Sequence, residues 1–395
     1  MSSPLRQSLA ACSETRSLVI MFSKPDLTRH RGHLVAVCLA LCAMAFPSGT
    51  ALASSKNASL IAPDFHETRT VRLEQTIHLK DIPSGSKQVK LWIPIPTDRN
   101  WQRVLDVSVT DSPGVWKIVP QVDGRGDFLF VEVTDPPAGE TKVTISCLVE
   151  RKGVHFPLDN VKSLPSFQTE LFNAALDKTS PLMMADDNVR KLAAEACGTE
   201  SDIARQAVML VHKVAEVADH YSKDPSKPHC GRGSAEDCLV NGGGCCTDLH
   251  SLFIAMARAR GIASRMQYGY RLLDAKEGTE FDPGYRCWVE YFIPGAGWVP
   301  TDIVAADNAD EANPYRWSSL SPYRVWLWEG RSFELTPKTS SDAPIDTMLC
   351  GWAEIDGKPV DPLPAADGTP PQMTRTVKFD VLQHDRPDGA PKLPE

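Results

Sequence analysis

Between residues 68 and 151 apolar and polar side chains alternate, as in Val71-Arg72-Leu73-Glu74, Val89-Lys90-Leu91-Trp92-Ile93 and Val143-Thr144-Ile145-Ser146-Cys147-Leu148-Val149. A period of two is that of a strand with one face buried and the other wet. Breaks rich in Pro, Gly, Ser and Asp interrupt the alternation at 83–85, 111–114, 123–126 and 136–139. That is the spacing of an antiparallel sandwich. Residues 66–152 are therefore expected to form an all-β sandwich domain.

Past residue 152 the period lengthens. Short helical pieces are expected at 166–176 and 188–197, followed by a longer amphipathic helix. Behind the cap-like Ser201-Asp202, the side chains of Ile203, Ala207, Leu210, Val211, Val214 and Ala218 share one helical face, which should pack under a site. A loop rich in Pro, Gly, Ser and Cys covers 224–244. A second helix then runs from Cys246 to about Arg260, where Gly261 suits a left-handed C-cap. Strands are expected at 263–270, 285–293 and 298–302, the last two joined by Pro294-Gly295-Ala296-Gly297. A helix backed by an antiparallel sheet makes residues 153–310 an α+β core. Residues 311–358 carry Trp317, Trp326, Trp328, Phe333 and Trp352 and are expected to pack as an aromatic extension. Residues 359–395 are rich in Pro, Asp, Gly and Lys and read as a mostly disordered tail with one strand at 375–382.

Length and composition refine this picture. At 395 residues the chain exceeds one hydrophobic core, so two domains with appendages are expected. The net charge is −8 and the body holds no run of Lys or Arg, which argues against a nucleic-acid partner. Residues 1–53 read as an N-terminal extension and signal peptide. Arg29, His30 and Arg31 precede an apolar run at 34–46, and Ala51-Leu52-Ala53 supplies an A-x-A cleavage site. The run falls short of the ~20 residues that cross a bilayer, so no membrane span is expected in the mature chain. The protein is expected to be exported, to a periplasm or the exterior, and an uncleaved signal segment would anchor it. Three of the eleven cysteines fall in that segment. Disulfides are plausible among the eight that remain in an oxidising compartment; the sequence does not choose among their pairings, and Cys230 and Cys238, which flank one loop, are a reasonable local pair.

The chemistry concentrates in Gly244-Cys245-Cys246-Thr247-Asp248-Leu249-His250-Ser251-Leu252-Phe253. A cysteine at a helix start is where a thiolate forms most easily, because the dipole and the unpaired first-turn N–H groups favour negative charge. Thiol catalysis also needs a proton carrier, a group that orients it, and donors for the oxyanion. Cys246 offers the nucleophile and, through its own N–H, an oxyanion donor. Asp302, at the end of the 298–302 strand, could orient a partner on the neighbouring strand. His250 lies one turn after Cys246 and reads more readily as a packed structural residue.

These residues resemble the transglutaminase-like superfamily, in four ordered blocks. They are Gly244-x-Cys246-x-Asp248-x-His250-Ser251-Leu252-Phe253, Ala257-Arg258-x-x-Gly261-Ile262-x-x-Arg265, Gly284-Tyr285-x-Cys287-Trp288-x-Glu290, and Gly297-Trp298-Val299-Pro300-x-Asp302. The resemblance implies a papain-like Cys-His-Asp core behind the β-sandwich, in the manner of the bacterial secreted branch, with acyl transfer at cysteine on a protein or peptide substrate. By motif position Cys246 matches the family nucleophile and Asp302 the family acid, while the family histidine is replaced by Arg286. A guanidinium stays protonated and cannot cycle as base and acid. An Arg286–Asp302 ion pair beside a Cys246 thiolate would keep the fold and impair turnover. Cys245, where asparagine is usual, is a second departure.

Two further readings stand beside an impaired acyltransferase or peptidase. One is a non-catalytic protein-binding module that keeps the groove. The other is a zinc-stabilised structural protein using His229, Cys230, Cys238, Cys245, Cys246 and His250, whose spacings differ from the usual zinc pairs. No organic cofactor or catalytic metal is implied, since the glycines at 242–244 lead into a thiol and not into a nucleotide loop. Oligomeric state is not legible in the chain.

Overall fold

The structure, a computed structural model, describes residues 60–158, 161–164, 180–229, 232–308, 317–346, 348–361 and 370–386. The signal segment and the helical piece expected at 166–176 lie outside these residues. Six strands open the described chain: β1 (Asp64–Ile82), β2 (Gln88–Ile95), β3 (Gln102–Asp111), β4 (Val115–Pro120), β5 (Asp127–Thr134) and β6 (Gly139–His155). Helices α1 (Asp187–Cys197) and α2 (Ile203–Val217) follow, then β7 (Asp219–His220), α3 (Ala235–Asn241), β8 (Gly243–Gly244) and α4 (Cys246–Ala259). Next come β9 (Ser264–Arg271), β10 (Arg286–Ile293), β11 (Gly297–Thr301), α5 (Ile303–Asn308), β12 (Ser319–Leu320) and β13 (Arg324–Glu329). The chain closes with β14 (Trp352–Ile355), β15 (Lys358–Pro359) and β16 (Met373–Asp385).

The alternating segments form two antiparallel sheets, ordered β12-β6-β1-β16, with β3 also on β6, and β15-β14-β2-β5-β4. Both draw on strands from the far end of the chain. β16 runs along β1 from Thr68↔Asp385 to Leu79↔Met373, so part of the expected tail is an ordered, half-buried strand. β14 pairs with β2, placing Trp352 opposite Trp92. Lys56–Glu395 form one compact unit.

The core is α+β and papain-like, a transglutaminase-like core behind a β-rich part. Its sheet, β11-β10-β9-β13, is antiparallel, and α4 packs on β9 and β10 while touching α1, α2 and α3. Every α4 residue from Cys246 to Ala257 is buried, as befits a helix enclosed on all sides. Each of Leu252, Phe253, Ile254 and Met256 is fully buried, and such a side chain contributes roughly 1.5–3 kcal/mol. Asp202 caps α2 by accepting from the Arg205 N–H, and the predicted face of Ala207, Leu210, Val211 and Val214 is buried.

Long polar side chains fix the sandwich to the core. Gln102 grips β13 in two directions, taking the Trp326 N–H at 2.8 Å and donating to the Trp326 carbonyl at 3.0 Å. The Tyr270 hydroxyl donates to Gln75 at 2.6 Å, and buried Arg69 donates to the Leu272 carbonyl at 2.6 Å. Cys238 is a free buried thiol, so the local link to Cys230 is not made. Cys230 itself lies outside the described residues. The other described cysteines form no disulfide either.

Candidate active site

Two glycines bring the thiol to its place. A Cβ on Gly243 would sit 2.0 Å from the Asp219 carbonyl oxygen, where β8 runs parallel to β7, and one on Gly244 would sit 2.6 Å from Asp248 Oδ2. Only glycine allows those approaches. The Asp248 carboxylate then locks the entry to α4, accepting from the Cys245 N–H at 3.0 Å and from the Ser234 N–H at 3.2 Å. Its role is larger than that of a dipole-friendly residue. Cys246 begins the helix with 8% of its surface exposed, next to Cys245 with 5%.

Both cysteines line a cavity of about 190 Å³ together with His220, Tyr221, Tyr285, Arg286, Leu349 and the Asp282–Arg375 pair. Cys246 and Arg286 thus share one cavity. Asp302 is not among its lining residues. It is buried at the end of β11, where it caps α5 by accepting from the Ala305 N–H at 3.2 Å, and it is ion-paired with Arg324 of β13. The expected Arg286–Asp302 pair is therefore not formed. Arg324 takes that place because β13 lies beside β9, bringing a second guanidinium to a carboxylate that β11 delivers from the other side. Burial alone would raise the Asp302 carboxyl, but the Arg324 charge, helped by the Ala305 N–H, holds it well below the usual carboxylate range.

His250 is fully buried and engaged at both nitrogens. Nε2 accepts from the Ile303 N–H at 3.1 Å, which leaves Nδ1 to donate to Cys287 Sγ at 3.2 Å. The imidazole is a structural bridge between α4, β10 and the start of α5. His229 stacks on Tyr221, with ring centroids 4.1 Å apart.

The Cys246 thiol is pushed above its ordinary range. A hydrogen bond with the Cys245 side chain pulls it down, but a hydrogen bond with the Cys287 side chain, burial, and the Cys287 charge outweigh it. The easy thiolate expected at a helix start is thus opposed by a neighbouring thiol on β10. Tyr285 is likewise pushed up, first by burial and then by the two vicinal cysteines, and its hydroxyl lies 3.0 Å from Thr247 Oγ1.

His220 is a cavity-lining residue that sequence reasoning missed. It lies in β7, opposite Gly244, and is 5% exposed. Its Nδ1 accepts from the Ser222 N–H at 3.2 Å and lies 2.7 Å from Ser222 Oγ. Burial, then the charges of Arg286 and His250, push its conjugate acid down to about 4, so the ring is neutral at neutral pH. With Nδ1 accepting, the proton of the neutral ring sits on Nε2. The only signal for it in the sequence is position, since it precedes the glycine loop without belonging to a motif. Among the described residues no group of three or more His, Cys, Asp or Glu side chains is placed to hold a metal.

Residues 190–303 match the family model of the transglutaminase-like superfamily. An uncharacterized protein of Haemophilus influenzae is 25% identical over 318 residues, 71% of this chain and 84% of that protein. Among solved structures, a protein of Cytophaga hutchinsonii named as a candidate cysteine protease aligns with a TM-score of 0.51 at 15% identity, covering 81% of this chain and 93% of that one, a likeness of fold. The periplasmic domain of TgpA from Pseudomonas aeruginosa is also matched, at 16% identity and a TM-score of 0.29, over 63% of this chain and 90% of that one.

Proposed function

We propose that the protein carries out acyl transfer or hydrolysis on peptide or isopeptide amides through a Cys246 thioester, with turnover held low by Arg286 at the family histidine position. The observation that carries the reading is Cys246 itself, at the first turn of a fully enclosed helix and facing a cavity large enough for one side chain. In the forward step the Cys246 sulfur bonds to the acyl carbon, the C–N bond breaks, and the amine leaves with a proton. Water or a second amine then takes the acyl group and frees the thiol. The Cys246 N–H and the Nε2–H of neutral His220 are the donors available to the oxyanion.

Proton traffic is where this site is poor. General acid–base help contributes about 10²–10⁴ in rate, and a guanidinium supplies none of it. His250 is committed to Cys287 and Ile303, and the raised Cys246 thiol leaves little thiolate at neutral pH. Those same observations favour a second reading, a binding module that keeps the cavity without turnover. We place the protein outside the cytoplasm on the strength of the 1–53 segment, with a protein or peptide as partner. No helix among the described residues is long and apolar enough to cross a membrane.

Peptidase and amine-transfer assays of the wild type beside Cys246→Ala and Arg286→His separate the two readings. Activity in the wild type that Cys246→Ala abolishes supports the slow enzyme. Activity that persists in Cys246→Ala removes Cys246 as nucleophile. Silence in all three proteins supports the binding module.

A further inference from the structure

We infer that the Cys246 cavity selects acyl donors that carry a carboxylate, and that Arg286 is the anchor for it. The inference rests on Cys246 as the reacting residue and deepens that reading by giving it a substrate class. The chemical group is a carboxylate close to the scissile carbonyl, either an acidic side chain in a peptide or the free α-carboxylate beside an isopeptide bond.

Arg375 donates to Asp282 at 2.7 and 3.2 Å and to the Leu349 carbonyl at 2.8 Å. Arg324 is paired with Asp302, and Arg331 donates to the carbonyls of Gly233 and Arg232 at 2.7 and 2.8 Å. Arg265 holds Glu290 at 2.6 Å. Arg286 alone in this group has no hydrogen bond or ion pair from its side chain among the described residues. It is half-buried in the cavity wall, and the carboxylate that shares this wall, Asp282, serves the Arg375 guanidinium.

A planar fork of donors with no protein acceptor, half-buried in a recess, is free to take one from a ligand, and a carboxylate matches its geometry with two parallel hydrogen bonds. The rest of the lining agrees. The Arg375 charge is cancelled by Asp282, so the cavity keeps one uncompensated positive charge, and Tyr221, Tyr285 and Leu349 give it apolar walls. Partial exclusion of water strengthens the attraction over its value at an open surface. A volume of about 190 Å³ admits one acidic side chain and not a folded segment. Arginine at the family histidine position then has a positive function: it exchanges proton transfer for recognition of a negatively charged donor.

The test reads alkylation and binding, so it stands whether or not the protein turns over. Cys246 is labelled with iodoacetate and with iodoacetamide in the wild type, Arg286→Lys and Arg286→Gln, and fragment mass spectrometry separates Cys246 from Cys245. Both reagents attack through the same thiolate, so the ratio of their rates cancels its abundance and reports attraction for the carboxylate. The wild-type ratio should exceed that of Arg286→Gln by about tenfold and shrink with added salt, with Arg286→Lys between them. Equal ratios in wild type and Arg286→Gln overturn the inference. Binding to Cys246→Ala protein is measured in parallel for peptide pairs with Glu or Gln on the acyl side, and for isopeptides with a free or amidated α-carboxylate. Tighter binding of the acidic member of either pair, lost in Cys246→Ala/Arg286→Gln, supports the anchor and tells the two sources apart. No preference in either pair, or a preference that survives loss of Arg286, refutes it. Activity on neutral peptides alone would leave Cys246 as nucleophile and remove Arg286 as anchor.

Discussion

Replacing Arg324 by methionine strips the buried Asp302 carboxylate of its ion-pair partner while keeping an unbranched side chain on β13. The side chains of Arg324 and Asp302 are 7% and 4% exposed, so neither charge can be returned to water without opening the core. The hydrogen-bonding groups that remain around the carboxylate are the Ala305 N–H at 3.2 Å and the His250 ring at 3.6 Å, and the Arg271 charge also acts on it. Removing one partner of a buried pair costs about 3–5 kcal/mol, because the other charge is left uncompensated. Arg324→Met should lose stability of that order in urea unfolding followed by tryptophan fluorescence.

The pH dependence gives the prediction its sharper form. In the wild type Asp302 sits well below its unfolded value of about 4, so its stabilisation is fully present above that value and disappears only as pH falls through the depressed folded one. Without Arg324, burial becomes the dominant influence and the Asp302 carboxyl rises above its unfolded value. The variant's deficit is then largest at neutral pH and shrinks toward about pH 5, where the carboxyl takes up a proton. Arg324→Met/Asp302→Asn, with no buried charge to strand, should recover most of the loss at neutral pH. A single-variant deficit under about 1 kcal/mol, or one that is equal at both pH values, would refute the account of Asp302 as a structural anion held by Arg324.

Two further outcomes are expected. Cys246 alkylation by iodoacetamide should climb through the alkaline range with no plateau below neutral pH, and Cys287→Ser should shift the curve toward acid by removing one of the groups that raise the thiol; a plateau already reached near pH 6 would contradict the geometry. Gly243→Ala drives a Cβ to 2.0 Å from the Asp219 carbonyl at a residue with φ of +143°, so it should cost about 3 kcal/mol or more in urea unfolding and detach β7, with His220, from the cavity. A loss below about 0.5 kcal/mol would show that β7 and β8 do not hold the loop.

Much of the fold was legible because local alternation and helix periodicity have local causes. The sandwich strands, the Cys246 helix with its stop at Gly261, and the 286–301 hairpin each follow from side chains a few positions apart. Pairing partners are another matter. Nothing within residues 375–382 says that they lie along β1, and the register is set by Val377 and Phe379 finding the apolar row of Leu73 and Ile77 some three hundred residues earlier. The candidate site divides in the same way. Cys246 and Asp302 are marked by motif and position, whereas His220 and Arg324 enter through strand neighbours that no spacing encodes. The Cys246 thiol is raised and not lowered for a related reason: the helix dipole is local, but Cys287, which opposes it, arrives from β10.

Under the proposed reading, arginine at position 286 does not stand alone as a departure from a working Cys-His-Asp arrangement. An acid that orients a catalytic imidazole needs that imidazole in reach, and here Asp302 faces Arg324, a helix N-terminus and the ring of His250, which is already committed to Ile303 and Cys287. A histidine available for proton transfer needs a free nitrogen next to the thiol, and His250 has both nitrogens committed while His220 is held neutral with Nδ1 turned to Ser222. A reactive cysteine needs surroundings that favour its anion, and around Cys246 the Cys287 thiol and burial outweigh the help of Cys245. Each of these departures points away from fast proton cycling, and Arg286→His alone would restore only one of them. The gain from that substitution should therefore fall toward the low end of the ~10²–10⁴ expected for a fully supported general base, unless Arg324→Met/Cys287→Ser is added to return Asp302 and the thiol to their roles.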